Sequence, residues 1–399
     1  MISLEEALTK IDRAVEPLEA REVALTQAIG CALAEEITAK FDVPDFASSA
    51  MDGIAVAHEH LQGKSFPIEL TIQGTIPAGK PVQEPLQAGH AFRIMTGAAL
   101  PAGADTVIKV EELEFTGDFV RLMQMPGEGD HVRPAGNDIK AGTVIFSERY
   151  ELTTLDAGIC ASLGLREISV YPHPKVAVMA TGSEIISPGE SLGDGQIYNS
   201  NDVTLKALLE AQGFRDIYLH SPSPDDIDKL IPIITRLCSE YDVVITSGAV
   251  SMGNFDYIPD VVKRLGGDLL FHKVFVKPGK PALVARIGRS WLLALPGNPV
   301  SVAVTFQLYG KRLIDKLMAK DTSSTRERAI LTESFSVKGD RFQVIGAHLK
   351  RKDGQLLAQA VQNYSSGRLS SIKGTNGFIF VPGGSRQVQE GISVDVEWL

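Results

Sequence analysis

The chain has 399 residues, of which 44% are hydrophobic and 22% are charged, so it can bury the cores of several domains and is not a disordered chain. Its formal net charge is −10. This net negative charge argues against nonspecific binding to nucleic acid, which needs clustered Lys and Arg to neutralise phosphates.

The compartment and the use of cysteine follow from simple patterns. Residues 1–6 lack the basic start and apolar core of a signal peptide, and no apolar run reaches the length of a membrane span. We therefore expect a cytoplasmic location and no membrane partner. The three cysteines, Cys31, Cys160 and Cys238, are widely spaced and odd in number, which indicates core residues rather than a disulfide framework or a zinc site.

The N-terminal region predicts helical structure. Ser3 and Glu6 form a capping box at the start of an amphipathic pattern that extends to Leu18. Residues 20–40 are rich in alanine and also compatible with a helix. Further along, residues 152–163 predict a helix and residues 167–171 a strand.

Residues 60–145 carry short apolar runs separated by Gly and Pro, which predicts a β-rich domain. The candidate strands are 68–72, 91–95, 106–110 and 119–123. Asp52 precedes Gly53 in a turn just before this region, and a purely structural turn aspartate is a strong alternative to a functional one. Thr96 lies in a second turn, at the end of a strand.

From Pro172-His173-Pro174 onward the pattern becomes an alternation of strands and helices, which predicts a three-layer α/β unit. Strands are expected at 175–180, 216–220, 242–246 and 269–276, and a last strand is expected to end at residue 295. Helices are expected at 202–212, from residue 223 onward, and in a segment that ends near residue 266. We expect the helix that starts at Ser223-Pro224 to kink or break at Pro232. After residue 325 only short strand candidates remain, which predicts a small all-β C-terminal domain.

Three apolar runs between residues 242 and 302 end in loops rich in Gly and Pro, at 247–256, 277–281 and 296–301. In open α/β sheets ligands bind beyond the carboxyl ends of the strands, and glycines let backbone N–H groups approach an anion. Asn298 suits a helix N-cap and Pro299 the first helical position, so a helix is expected over 300–317. A loop that merely turns a strand into a helix is the alternative reading.

Lysines and acids surround these loops. On an extended segment Lys273 and Lys277 share one face, about 13 Å apart, although lysines that protect an edge strand would give the same pattern. The acids at strand ends are Glu184, Asp225 or Asp226, and Asp256, beside Lys273, Lys277 and Lys280. Mg²⁺ needs hard oxygen ligands and phosphates need positive charge, so this set predicts an enzyme acting on a phosphorylated or oxyanionic small molecule.

Six motifs, in this order, resemble those of the molybdopterin molybdenumtransferase family, which includes MoeA and the E domain of gephyrin. They are Ser49-Ala50-Met51-Asp52-Gly53, Arg93-Ile94-Met95-Thr96-Gly97, Thr181-Gly182-Ser183-Glu184, Gly248-Ala249-Val250-Ser251-Met252-Gly253, Lys277-Pro278-Gly279-Lys280-Pro281 and Leu295-Pro296-Gly297-Asn298-Pro299-Val300-Ser301. The resemblance covers essentially the whole chain. Four positions depart from the usual pattern of the family: Ser48, Ile54, Asn137 and Ala249.

The resemblance implies insertion of molybdate into adenylylated molybdopterin with Mg²⁺-dependent release of AMP, which gives molybdenum cofactor. It implies catalytic roles for Asp52, Thr96, Asp256, Lys273 and Lys277. The implied substrate-binding residues are Glu184, Asp225, Asp226, Ser251, Lys280, Pro296, Gly297, Asn298, Pro299, Ser370 and Ser371, and the implied Mg²⁺ ligands are Glu184, Asp225 and Asp256.

The resemblance also implies the architecture and the partners. We expect a connecting domain from residues 1–45 and 141–172, a β-rich domain over 46–140, a MogA-like three-layer α/β domain over 173–322 and a small C-terminal β-barrel over 323–399. Family members are homodimers with a shared active site, in which Asp52 and Thr96 act from the partner subunit, and a molybdopterin adenylyltransferase is a further expected partner. A non-catalytic scaffold and an adenylyltransferase are the competing functional readings.

Overall fold

The computed structural model describes residues 1–250, 257–322, 326–362 and 364–399. The chain divides into two compact units. The first comprises Met1–Ala34, Glu151–Thr154 and Glu167–Leu399, and the second comprises Glu35–Tyr150 and Leu155–Arg166. In the described ranges, none of the helices combines the length and apolar character needed to cross a membrane.

The centre of the first unit is a six-stranded sheet. Its spatial order is Ile217–Ser223, Val176–Thr181, Val243–Ser247, Ser290–Leu295, Leu283–Ile287 and Asp268–His272. The first four strands are parallel and the last two pairings are antiparallel. Strands buried on both faces are continuously apolar, as the central runs of this sequence are. Because the four parallel strands run in the same direction, their carboxyl ends meet at one edge of the sheet.

Helices cover both faces of this sheet, which confirms the three-layer α/β prediction. Ile227–Glu240 and Ile258–Arg264 pack on one face through a shared apolar cluster. Asn201–Ala211 and Pro299–Thr305 contact each other and the sheet. The last helical stretch continues through a π-helical turn, Phe306–Gly310, into Lys311–Leu317, so the expected helix up to residue 317 is present.

The helix predicted to start at Ser223-Pro224 differs from expectation in two details. It begins at Ile227 with Asp226 as its N-cap, whereas Ser223 still belongs to the preceding strand. The helix also runs through Pro232 to Glu240, so the expected break does not occur. Leu230, Ile234 and Leu237 are completely buried on its inner face. Their burial outweighs the roughly 3 kcal/mol that an interior proline costs a helix.

The C-terminal region forms a closed barrel, as predicted. Its five strands are Glu327–Leu331, Phe342–Lys352, Gln355–Ala360, Gly377–Val381 and Ser393–Trp398. Phe342–Lys352 pairs on both sides, with Gln355–Ala360 and with Gly377–Val381, and the remaining pairings complete the ring. The inward-facing apolar side chains form one core.

The segment that joins the α/β sheet to the barrel departs from the predicted strand 269–276. The strand ends at His272, and Lys273 adopts a positive φ of 69°. Ile2 pairs with this segment: its N–H donates to the Lys273 carbonyl at 3.1 Å, and its own carbonyl accepts from the Phe275 N–H at 2.8 Å. The chain then forms a separate short strand, Val276–Lys277, that pairs in parallel with the barrel strand at Phe342. The extended geometry assumed for Lys273 and Lys277 is therefore wrong.

The N-terminal segment also differs from its prediction. Helix Leu4–Ala14 begins at an N-cap whose Ser3 side chain accepts a hydrogen bond from the Glu6 N–H, so the predicted helix start is confirmed. Residues 20–40, however, are not a helix. Arg21–Ala24 and Ala32–Leu33 flank Glu167–Tyr171 in a three-stranded sheet. Pairing with a distant strand overrides the helical preference of an alanine-rich stretch.

The second unit is β-rich, as predicted. Its six-stranded sheet has the order Thr106–Lys109, Gly53–Val56, His90–Ile94, Ile68–Ile76, Phe119–Leu122 and Leu113–Thr116. The sheet buries two apolar clusters. The same unit contains the helix Asp156–Ser162, which starts four residues later than the expected 152–163 segment because Leu152 forms backbone hydrogen bonds with Gly30 and Cys31 instead.

Candidate active site

A cavity of about 1220 Å³ lies between the α/β domain and the barrel, inside the first unit. Loops at the carboxyl ends of the parallel strands form one wall, and strands of the barrel form the other. Eight predicted site residues line it: Glu184, Asp225, Lys277, Lys280, Pro296, Gly297, Asn298 and Pro299. The structure therefore brings these eight predicted residues together around one cavity.

The turn after strand Val176–Thr181 is packed closely against the turn after Val243–Ser247. A Cβ at Gly248 would lie 2.5 Å from the Thr181 carbonyl oxygen, and Gly248 has a φ of 102°. Only glycine fits this combination of closeness and left-handed backbone. The next residue, Ala249, has a positive φ of 48°. Both residues line the cavity.

Glu184 and Asp225 form an acidic pair on this wall. Burial raises the pKa of Asp225, the negative charge of Glu184 raises it further, and a hydrogen bond from Thr181 lowers it. Asp225 Oδ1 is buried and has no hydrogen-bond partner among the described residues. The pair therefore places two neighbouring carboxyl groups on the cavity wall, and one of their oxygens has no partner among the described residues.

Lys277 and Lys280 belong to a loop that is fixed between the two domains. Lys277 pairs with Gln343 of the barrel in parallel register, and the Arg341 guanidinium donates to the Val276 carbonyl at 3.3 Å. Gly279 has a φ of 100°, and a Cβ there would lie 2.2 Å from Thr305 Cγ2. The loop thus brings two ammonium groups to the cavity on a backbone that is held from both sides.

The third loop runs from Pro296 to Pro299. Asn298 occupies the N-cap position of helix Pro299–Thr305, although its side chain makes no capping bond. Instead, Asn298 Nδ2 donates to the Ser366 hydroxyl at 3.3 Å, and the Val300 N–H donates to the Ser366 carbonyl. The loop is therefore tied to the barrel side of the cavity rather than capping its own helix.

The barrel contributes residues that the sequence did not indicate. Lys338, Arg341 and Gln343 line the cavity together with the other wall. They lie on or beside a strand more than 60 residues away from Lys277, so no local motif connects them to it. Only the pairing of the Lys277 segment with the barrel reveals that they share a site.

Several predicted residues are placed elsewhere. Lys273 and Asp226 do not line the cavity, and the Asp226 side chain caps a helix by accepting from the Asp228 N–H at 3.0 Å. Ser370 and Ser371 lie in the short helix Leu369–Ile372 outside the lining, where the Ser371 hydroxyl donates to the Arg368 carbonyl at 2.6 Å. Ser251 and Asp256 lie outside the described residues.

Asp52 and Thr96 are directly bonded to each other in the second unit. Asp52 Oδ1 accepts from the Thr96 N–H at 2.6 Å and from the Thr96 hydroxyl at 2.8 Å. These two hydrogen bonds lower the pKa of the exposed Asp52 carboxyl. Two turns 44 residues apart are thereby joined by a carboxylate that stays ionised.

The donor set in the cavity fits a magnesium ion. Mg²⁺ in nucleotide enzymes is usually held by one or two carboxylates together with water and substrate phosphates. Glu184 and Asp225 supply such hard oxygen donors, and one of these oxygens lacks a partner. Across the described ranges there is no cluster of three or more His, Cys, Asp or Glu side chains able to hold a metal by itself. Two carboxylates alone would leave most of the coordination of such an ion to water and to a bound ligand.

Comparison with known families gives three matches that follow one another along the chain. Residues 2–164 match the MoeA N-terminal region (domains I and II), residues 177–316 match a probable molybdopterin binding domain, and residues 328–399 match the MoeA C-terminal region (domain IV).

Individual relatives agree with these matches. The chain is 33% identical to a molybdopterin molybdenumtransferase of Staphylococcus epidermidis, over 99% of this chain and 95% of the relative. It is 34% identical to molybdopterin molybdenumtransferase 2 of Mycobacterium tuberculosis, over 94% of each chain. A solved structure of a molybdopterin biosynthesis MoeA protein from Pyrococcus horikoshii is similar with a TM-score of 0.82 and 29% identity, over 100% of this chain and 99% of the other. With the cavity between the α/β domain and the barrel, these similarities show that the chain belongs to the molybdopterin molybdenumtransferase family.

Proposed function

We propose that this protein is a molybdopterin molybdenumtransferase, which inserts molybdate into adenylylated molybdopterin and releases AMP. The observation that carries the proposal is the cavity itself, because it combines two lysines and an acidic pair with enough volume for a nucleotide-sized substrate. Relatives that bear this name cover nearly the whole chain, which supports the same reaction.

The lysines are the groups we assign to the oxyanions. The reaction involves molybdate and a phosphate bridge, so negative charge must be held in the ground state and develops further on the departing AMP. An ammonium group fixed in advance at that position stabilises the charge without reorganisation. Lys277 and Lys280 suit this role because their loop is pinned by the barrel on one side and by Thr305 on the other. Lys273 and Asp256 remain predicted contributors.

The acidic pair is the proposed binding position for Mg²⁺. Glu184 and Asp225 would hold the ion, with Asp256 as a further predicted ligand. When bound, the ion would neutralise phosphate charge and orient the phosphate oxygens. The two carboxylates also favour a cation over a second anion beside them.

We further propose a homodimer in which Asp52 and Thr96 of one subunit act in the site of the other. The carboxylate of Asp52 keeps one oxygen outside its two bonds with Thr96, so it can still contact a substrate. Mixing two inactive homodimers, Asp52→Ala and Lys277→Ala, should restore about a quarter of the wild-type activity, since half of the exchanged dimers carry one intact site. A mixture that stays inactive after proven subunit exchange contradicts the shared site.

The proposed reaction is tested by incubating the protein with adenylylated molybdopterin, molybdate and Mg²⁺ and measuring AMP. Release that requires molybdate supports the transferase. Consumption of ATP with unmodified molybdopterin would instead indicate an adenylyltransferase, and silence in both assays a non-catalytic scaffold. Lys277→Ala should lose activity by about a hundredfold or more. Lys350→Ala, an exposed lysine on a barrel strand, is the matched control and should retain it.

A further inference from the structure

A small parallel sheet lies directly after Glu184 and has no role in the site described above. Ile185–Ile186 pairs with Ile197–Tyr198. The Ile197 N–H donates to the Glu184 carbonyl at 2.9 Å, and the Asn199 N–H donates to the Ile186 carbonyl at 2.8 Å. These bonds fix Tyr198 on the wall of the cavity that carries the acidic pair.

Tyr198 presents an uncovered aromatic ring to this cavity. The residue is 47% exposed, its neighbour Ile197 is 56% exposed, and both line the cavity. The Tyr198 hydroxyl donates to the Glu190 carbonyl at 3.0 Å, which ties the polar end of the ring to the preceding loop. The ring is therefore held at one end while its apolar surface stays open. Such a ring loses little conformational entropy when it binds a flat ligand.

The size and charge of the cavity indicate which kind of ligand contacts the Tyr198 ring. A volume of about 1220 Å³ is far larger than a single phosphate or molybdate needs, and Lys277 and Lys280 already provide for an anion. The cavity therefore has room for a ligand that joins its anionic part to an extended flat part. Flat nitrogen heterocycles stack on aromatic side chains with favourable energies whatever their substitution pattern.

We propose that Tyr198 is the stacking platform for a planar heterocycle of the substrate and so determines which ligands bind tightly. The inference rests on the proposed function for the identity of that substrate, whose adenine and pterin rings share the required flat chemistry. Tyr198 acts by contact with the ligand, and its bond with Glu190 only orients the ring.

The test compares Tyr198→Ala with Tyr198→Phe by calorimetric titration of the full chain with AMP and with ribose 5-phosphate. Where adenine is the stacked ring, Tyr198→Ala should weaken AMP binding by about tenfold or more and leave ribose 5-phosphate within about twofold, because only AMP has a base to stack. Tyr198→Phe breaks the bond with Glu190 but keeps the ring, so it should bind AMP almost as the wild type does. If the tyrosine only anchored its loop, Phe and Ala would behave alike and both ligands would weaken.

A parallel titration with molybdopterin identifies which ring of the substrate stacks on Tyr198. A loss confined to AMP assigns the platform to adenine, and a loss confined to molybdopterin assigns it to the pterin; either supports the inference. Wild-type affinity for both ligands in Tyr198→Ala, or no binding of either by the wild type, overturns it. These measurements need no turnover. A protein that shows the Tyr198 pattern but no molybdate-dependent AMP release would keep this inference and lose the proposed function.

Discussion

Two acidic positions in this molecule have opposite electrostatic environments. In the second unit Asp52 accepts two hydrogen bonds from Thr96, and its pKa is lowered. In the first unit burial and the charge of Glu184 raise the pKa of Asp225, and one of its oxygens has no partner in the described part of the chain. The first carboxylate is stabilised by its own chain. The second is destabilised as an anion, which is the expected state of a group that binds a cation during function.

The largest effect should come from removing the charge of the destabilised acid. Asp225→Asn is expected to lower molybdate-dependent AMP release by about a hundredfold, because a neutral amide replaces the charged carboxylate that binds the cation. The same variant should unfold at a slightly higher temperature than the wild type without Mg²⁺, since a repulsive, partly buried charge is gone. Activity assays and thermal unfolding measure the two changes separately.

The adjacent acid provides the matched control. Asp226→Asn makes the same chemical change one residue away, but asparagine caps a helix as well as aspartate does. Activity and unfolding temperature should therefore stay close to the wild type. If Asp226→Asn were inactive and Asp225→Asn active, the functional acid would be the helix cap, and the assignment of the acidic pair would be wrong.

A second effect concerns Mg²⁺ itself. At ten times its dissociation constant, an ion that binds only the folded chain adds about 1.4 kcal/mol to the free energy of unfolding. The wild type should show this stabilisation in Mg²⁺ titrations followed by thermal unfolding, and Glu184→Gln should lose most of it. Thr96→Val should keep it in full, because the Asp52 position needs no cation. Equal stabilisation of all three proteins would show that the ion binds elsewhere.

The elements of the α/β wall could be predicted from the sequence because each strand and the loop that follows it are contiguous in the chain. Short apolar runs ending in Gly and Pro loops gave the parallel strands, and the edge they share brought Glu184, Asp225 and the 296–299 loop together. The barrel wall could not be found this way. Arg341 and Gln343 reach the cavity only because Val276–Lys277 leaves one sheet and pairs with another, 66 residues further along the chain.

The errors have the same non-local origin. Lys273 and Lys277 look like one face of a strand, but Ile2 pairs with the Lys273–Phe275 segment and Lys273 adopts a left-handed backbone. Residues 21–24 look helical until strand Glu167–Tyr171 pairs with them. Asp52 and Thr96 were both singled out by motif, yet neither motif predicts that they bond to each other. Partners distant in the sequence determined each of these outcomes.

The pH dependence of Mg²⁺ binding sharpens the comparison further. Since the folded-state pKa of Asp225 is raised, protons compete with Mg²⁺ at a higher pH than at an ordinary carboxylate. On acidification the affinity should therefore begin to fall at a higher pH than it would at an ordinary carboxylate, by up to about tenfold per pH unit once the group is protonated. The same raised pKa means that the ionised pair costs stability above it, and that this cost disappears as the pH falls through it. Mg²⁺ titrations of the wild type and of Asp225→Asn at several pH values measure the first effect, and the same pH dependence in both proteins contradicts it.

The smallest expected effect lies at the Asp52 position and has the opposite sign. Because Thr96 lowers the folded-state pKa of Asp52, its bonds stabilise the fold at every pH above the ordinary carboxyl pKa, and this contribution is lost as the pH falls through the lowered value. Thr96→Val should therefore lower the unfolding temperature slightly at neutral pH and not at all in strong acid, where Asp52 is protonated. The Asp52 carboxyl is fully exposed, so solvent screening keeps the difference small. Unfolding curves of both proteins from neutral to acidic pH measure it. A difference that grew on acidification would mean that Thr96 stabilises the protonated carboxyl, and the contrast between the two acids would disappear.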